Sequence, residues 1–445
     1  MSREKQTPPG RLGLPWLGES LALLRSNHGF YKDRAAKYGP VFKTRLFGID
    51  FVVCSGHEAF HLFATDPRIV RGSSDPISVE QLFAGSLALI DGTDHHLRKA
   101  VMLRAVGYRS AIEAYLPRMQ ALIQTMVDSW MQRGGEAPVL PDLQMFAARL
   151  GGALYTGDQS EQGAAELYQA GADIRAGFQS LPFAIPGTPY ARARKAHKRL
   201  TRIVDEAIAR HQSGHYDDIV SRMLDAADES GVGAAELGGD IRHLLFASQG
   251  GYFVPFTLVT MALGQHPEIV AKAREEVERI APAGPLTMDQ IEQMEYLEQI
   301  SKELRRYFAM NSATFFGRLT EPMQIGGYLI PAGWGAMGAI HITMRNADVF
   351  DDPERFDPDR FEPAAEAALA PGSYVPHGDG QATHHRCPGE NIVTIAVKMY
   401  LTLLLRQATW TLPEQDLTLS NELFPLPESG LVVRFHQHAP VQTAV

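Results

Sequence analysis

Tyr374-Val-Pro-His-Gly-Asp-Gly-Gln-Ala-Thr-His-His-Arg-Cys387-Pro-Gly-Glu390 sets one cysteine at the end of a glycine-bearing loop, directly before a helix-like run, Asn391 to Arg406. A cysteine at a helix N-terminus beside Arg386 and His385 is expected to be a thiolate, because the helix dipole and nearby cations favour the anion. A thiolate in a low-dielectric pocket is a strong axial ligand for haem iron. Read alone, the stretch leaves open a reactive or buried cysteine after an ordinary turn. His377, His384, His385 and Cys387 together also leave zinc open. Pro388 removes one backbone N–H that would otherwise bond the sulfur, which makes the thiolate a stronger donor.

Outward from this loop, Glu303-Leu-Arg-Arg306 lies in a helical run, Met288 to Phe308. Glu303 and Arg306 are three apart and share a helix face. A further arginine stands in Phe356-Asp-Pro-Asp-Arg360-Phe361. The order Glu303, Arg306, Arg360, Cys387, at these separations, resembles the cytochrome P-450 superfamily, and a zinc site would give the first three no role. The resemblance implies a buried structural set of Glu303, Arg306 and Arg360, with Cys387 as the iron ligand of haem b (iron protoporphyrin IX). It covers nearly the whole chain. Pro8 to Gly18 looks like the family's proline-rich entry, Tyr38 to Gly48 like its first β hairpin, and Ser180 to Tyr190 like a loop between two of its helices. These N-terminal parts are similar to bacterial retinoic-acid hydroxylases and plant sterol oxidases. The C-terminal third, His385-Arg-Cys-Pro-Gly-Glu390 and Leu423 to Gly430, is more similar to fatty-acid peroxygenases. The implied fold is the P-450 fold, mainly α with a small β domain near the N-terminus, in a single domain spanning 1–445.

Composition is consistent with this. The chain has 445 residues, 45% of them hydrophobic, which allows a sizeable core. Its net charge of −9 makes nucleic acid an unnatural partner. No apolar run of 18 residues occurs, so no transmembrane anchor is expected, and the polar first residues lack the apolar core of a signal peptide. A cytoplasmic, bacterial, monomeric enzyme is the expectation. The second cysteine, Cys54, sits in an apolar strand-like run, and two unpaired thiols fit a reducing compartment. One basic run, Arg192 to Arg202, reads as a solvated helix face or as a surface for an anionic partner.

Two propionates require cations or donors. By family position the resemblance assigns His95 and Lys99, with Arg98 as substitute, and further along Arg318 and His385. The helix opposite the iron is expected over Ala234 to Gln265. Its centre in ordinary members carries an acid–alcohol pair that passes protons toward the iron. Counting back from His266 puts that pair on Gly250-Gly251, which relay none. Ser248, Gln249 or Thr257, the substrate's own carboxylate or hydroxyl, or a reaction needing no dioxygen would replace it. Peroxygenases hold a carboxylate with an arginine on this helix, yet none occurs between 243 and 265, and Arg242 stands about two turns early. Pro255 leaves the Gly251 carbonyl without its helical partner. Family position also lines a pocket with Leu82, Phe83, Leu87, Ala247, Ala313, Thr314, Phe315, Phe424 and Leu426. The expected activity is oxidation of a hydrophobic small molecule such as a terpenoid, fatty acid or specialised metabolite. A separate ferredoxin or flavodoxin, or hydrogen peroxide, would drive it. A non-oxygenating rearrangement or a haem sensor are the alternatives.

Overall fold

The structure, a computed structural model, describes residues 6–72, 75–214 and 216–438. Near the N-terminus two strands, β1 (Val41–Leu46) and β2 (Ile49–Cys54), pair antiparallel around Phe47-Gly48. Both turn residues have positive φ, 52° and 88°, the left-handed pair that matches the twist of a two-residue hairpin. Every side chain of Phe51-Val-Val-Cys54 is fully buried, as continuous apolar strands covered on both faces are. Burial pushes the Cys54 thiol up to about 12, so this cysteine is inert.

The sequence led us to expect the β structure near the N-terminus, but it is not confined there. Strands β3 (Ile69–Val70), β4 (Gly317–Leu319) and β5 (Gly335–Gly338) complete one sheet in the order β1-β2-β5-β4-β3, with β5 parallel to β2. A Cβ on Gly335 would lie 2.3 Å from the Phe51 ring, so the β2–β5 contact needs glycine there. A second sheet joins Glu136–Pro138, Val432–Gln437 and Ala408–Thr411.

Seven helices build the site: α1 (Ile77–Leu82), α2 (Gly92–Val106), α3 (Glu161–Phe178), α4 (Pro189–Ser213), α5 (Ala234–Gln265), α6 (Glu295–Phe308) and α7 (Glu390–Gln407). Helix α5 starts where the Glu236 carboxylate accepts from the Gly233 N–H (3.2 Å) and stops where Pro267 opens the next helix. It is long and apolar enough to cross a membrane, but 78% of that window is buried inside the protein. It runs unbroken through Gly250, Gly251 and Pro255. The expected single run Met288 to Phe308 is instead two helices, Met288–Gln293 and α6, meeting at Met294. The break has a physical cause. The buried Glu276 carboxylate accepts from the Tyr296 and Leu297 N–H groups (2.8 and 2.9 Å), capping a fresh helix start.

Candidate active site

The cysteine loop turns at Gly378 and Gly380, with φ of 85° and 84°, where a side chain would be strained. The Cys387 N–H donates to the His377 carbonyl (2.9 Å), and the Gly389 N–H donates to the sulfur. The Cys387 side chain is solvent-accessible, although protein atoms crowd around it. This burial raises the thiol above its ordinary value. The Gly389 N–H, Lys99 and Arg305 pull the other way and do not prevail. Arg386 is bonded through both arms to Glu390 (2.7 and 2.8 Å), and His385 meets Asp91 (2.7 Å), so neither acts on the sulfur. Among the described residues no group of three His, Cys, Asp or Glu side chains is arranged to hold a metal.

The loop is tied to the helical core by a residue the sequence did not single out. Arg305, buried on α6, donates to Ser301 (2.9 Å to the carbonyl, 2.8 Å to Oγ), to Thr394 Oγ1 on α7 (2.7 Å) and to His377 Nε2 (3.0 Å). Burial, reinforced by Arg305, lowers His377 to about 3, so it stays neutral and accepts this bond. The next residue, Arg306, bonds Glu303 in a fork (2.6 and 2.8 Å), both side chains fully buried. Arg306 also donates to the Met344 and Pro353 carbonyls (3.1 and 2.9 Å). Arg360 approaches Glu303 (3.6 Å) and donates to the Asp352 carbonyl (2.7 Å). The three residues spaced along the sequence thus meet as one buried set, which pins the segment after α6 beneath the site.

Several cations expected around the cofactor gather, and one does not. His95 is buried, its Nε2 has no partner, and its ring lies 4.2 Å from that of His385. Burial and the neighbouring cations lower His95 to about 3. Lys99 is buried on the same face of α2 and donates to the Arg386 carbonyl beside the cysteine; burial lowers its ammonium to about 8. Arg98 is committed elsewhere, to Asp240 (2.8 Å) and the Gly85 carbonyl. Arg318 is exposed on β4. Arg71, which the sequence reading missed, donates to the Phe315 carbonyl (2.8 Å) and lies within electrostatic reach of Asp91 and His385. Burial lowers its guanidinium to about 10. An orphaned buried imidazole nitrogen among Arg71, His385 and Lys99 fits a group that brings its own carboxylates.

On α5, Ala247 is exposed and Gly251 half-buried within a stretch, residues 244–263, that is otherwise buried, and a Cβ on Gly251 would lie 3.3 Å from Val393 of α7. Ser248 Oγ donates to the Leu245 carbonyl (3.1 Å), Gln249 to the Leu167 carbonyl (3.2 Å) and Thr257 to the Phe253 carbonyl (2.7 Å). Each of the three expected proton carriers donates to a backbone carbonyl, and Ser248 also bonds Tyr155. Arg242 is likewise taken, by Thr201 Oγ1 (3.2 Å) and the Ala84 carbonyl.

The pocket residues divide. Phe83 stacks on Phe178 (5.2 Å) and meets Phe315 and His243 edge-on (5.0 and 4.6 Å), with Leu82 lining the small apolar cavity beside it. Phe424 lies over Gly250, where a Cβ would come within 2.6 Å of its ring. Leu87 and Leu426 are buried in the main core. Ala313 packs toward the β1–β2 core and Thr314 Oγ1 accepts from the Gly338 N–H (3.0 Å), so these two serve the sheet.

The family model described as cytochrome P-450 matches residues 8–435. Cytochrome P-450 120 of Synechocystis sp. is 30% identical over 436 residues, 96% of each chain. Abscisic acid 8'-hydroxylase 1 of Oryza sativa is 27% identical over 437 residues, 96% of this chain and 90% of that one. Among solved structures, retinoic acid-bound cyanobacterial CYP120A1 superposes with a TM-score of 0.90 at 29% identity, covering 98% of this chain and 100% of that one.

Proposed function

Because the chain belongs to the cytochrome P-450 family and takes haem b, we propose that it oxidises a hydrophobic small molecule of the isoprenoid kind, with Cys387 as iron ligand. Two of the relatives carry a ligand or substrate in their names, retinoic acid and abscisic acid, and both molecules are isoprenoid-derived. The observation that carries the reading is the accessible Cys387 sulfur at the start of α7, with Val393 of α7 packed against Gly251 of α5. The bound haem would supply oxidative chemistry at its iron. His95, Lys99, Arg71, His385 and Arg318 would hold its two propionates. Arg305 and the Gly389 N–H orient the ligand loop, and the Phe83, Phe315 and Phe424 rings exclude water from the substrate side.

The electron donor is a separate ferredoxin or flavodoxin. Since Gly250-Gly251 hold no proton and Ser248, Gln249 and Thr257 are bonded to backbone, proton delivery falls to water or to the substrate. Turnover with dioxygen is therefore poorly coupled on generic substrates, and hydrogen peroxide, which brings its own protons and electrons, supports turnover.

Cys387→Ser tests the ligand. The variant loads haem but loses the thiolate-type absorption of its reduced carbon monoxide complex; retention of that band would remove Cys387 from the iron. Measuring NADPH consumed against product formed in the wild type tests proton delivery, and tight coupling would overturn that part.

A further inference from the structure

The helix opposite the iron lacks an arginine over its central turns, but the fold brings one there from a different helix. Arg175, on α3, lies half-buried with its guanidinium over the face of Phe253 of α5 (5.1 Å to the ring centre). Phe253 meets the Phe424 ring edge-on on the loop before Leu426 (6.1 Å), and Phe424 in turn covers Gly250. Gly171, one turn before Arg175, makes the space. A Cβ there would stand 2.2 Å from Gln249 Oε1 and 3.2 Å from Arg175 Nη1. The guanidinium, the Gln249 amide and the two aromatic rings thus share one small region above Gly250.

Arg175 has no hydrogen bond and no carboxylate within ion-pair distance among the described residues. This separates it from the other arginines near the site. Arg98 is held by Asp240, Arg242 by Thr201, Arg305 by Ser301, His377 and Thr394, and Arg71 by the Phe315 carbonyl. The acidic side chain within electrostatic reach of Arg175 is Glu422, exposed and not in contact. Arg175 is half-buried, and none of its nitrogens is sealed from solvent, so its guanidinium keeps free donors that a partner from outside the chain can take. The fork geometry of guanidinium matches a carboxylate through two parallel N–H···O bonds. The aromatic rings beside it suit an apolar body attached to that carboxylate.

We propose that Arg175 is the anchor for the carboxylate of the substrate, so that the pocket selects hydrophobic carboxylic acids. The proposal rests on the reading of Cys387 and α5 as the two walls of the oxidising site, and it narrows the substrate class of that site. The acid is bound by an arginine of α3, reaching across α5 at the level of Gly250, and its hydrocarbon body lies along Phe253 and Phe424.

The test uses the haem-loaded full chain and two matched probe pairs: retinoic acid with retinol, and tetradecanoic acid with 1-tetradecanol. Dissociation constants come from the shift of the haem absorption on titration. The wild type is expected to bind the acid of at least one pair tenfold or more tighter than its alcohol. Arg175→Leu loses that preference while its affinity for the alcohol stays within about twofold, and Arg175→Lys regains part of it. A wild type that binds acids no better than alcohols, or binds no member of either pair, overturns the proposal. So does an Arg175→Leu protein that keeps the preference. If Arg175→Leu does not fold, as read by its melting curve, Arg175→Gln takes its place with the same expected loss. The reduced carbon monoxide spectrum of each sample separates the two readings. A thiolate-type band without acid preference sinks only the role of Arg175, whereas absence of the band sinks the haem–thiolate reading beneath it.

Discussion

At the scale of single residues, the site depends on one arginine that bonds three segments at once. Arg305→Met removes the donors to Ser301, Thr394 and His377 and leaves His377 Nε2 buried without a partner. Hydrogen bonds to a charged group contribute about 1.5–3 kcal/mol, and an orphaned buried acceptor adds a penalty. The variant is expected to melt at lower temperature and to retain less haem per chain. Arg305→Lys restores little, because an ammonium cannot fork to Thr394 and His377 together. Unchanged haem content in the methionine variant would show that the loop is held by other contacts. The residues legible in the sequence were those whose neighbours along the chain declare their chemistry. Cys387 before a helix is one, and Glu303 with Arg306 at helical spacing is another. Arg71, Arg175 and Arg305 were not legible, since each acquires its meaning from a partner far away. Arg71 meets a carbonyl 244 residues on, and Arg305 meets a histidine 72 residues on. Helix position and adjacent cations around Cys387 can likewise be read locally, whereas the protein crowded around its sulfur cannot.

At the scale of elements, the two central glycines of α5 are not equivalent. A methyl on Gly250 would meet the Phe424 ring at 2.6 Å, while one on Gly251 would meet Val393 at 3.3 Å. Replacing an interior helical glycine by alanine gains about 1 kcal/mol of helix propensity. Gly251→Ala is expected to keep most of that gain after a small shift of Val393, with ligand affinity little changed. Gly250→Ala displaces Phe424 and is expected to weaken binding of a retinoid-sized ligand by about tenfold, about 1.4 kcal/mol. Melting curves and spectral titrations of both variants check the contrast; equal effects on affinity would mean that Phe424 does not wall the pocket. Helix α5 itself, with both ends, could be read from its apolar content and from Pro267. The break at Met294 could not, because the side chain that caps the new helix, Glu276, belongs to the separate helix Pro267–Ile280.

For the whole molecule, the buried Glu303–Arg306–Arg360 set decides whether the chain folds. Removing one partner of a buried pair leaves an uncompensated charge and costs about 3–5 kcal/mol, a large share of a typical total of 5–15. Glu303→Ala is expected to give little soluble, haem-loaded protein, as read by the yield of holoprotein and its denaturant midpoint. A fully loaded variant with an unchanged midpoint would contradict this role. The overall architecture was legible from the ordered motifs; the distribution of strands was not, since two strands of the main sheet come from the later half of the chain.

That distribution has a consequence for how the chain is made. The wholly apolar strand β2 pairs with β5, and the Gly56 N–H beside it donates to Thr343 Oγ1, 287 residues further on. At ribosomal speeds of about 5–20 residues per second, β2 waits roughly 15–60 s after its own synthesis for the strand that covers it. Throughout that interval Phe51-Val-Val-Cys54 presents an unpaired edge to its surroundings. Newly made chains are therefore exposed to edge-to-edge aggregation before the sheet can close. Slower growth at low temperature, or a holding chaperone, acts on this waiting time and leaves the finished fold untouched.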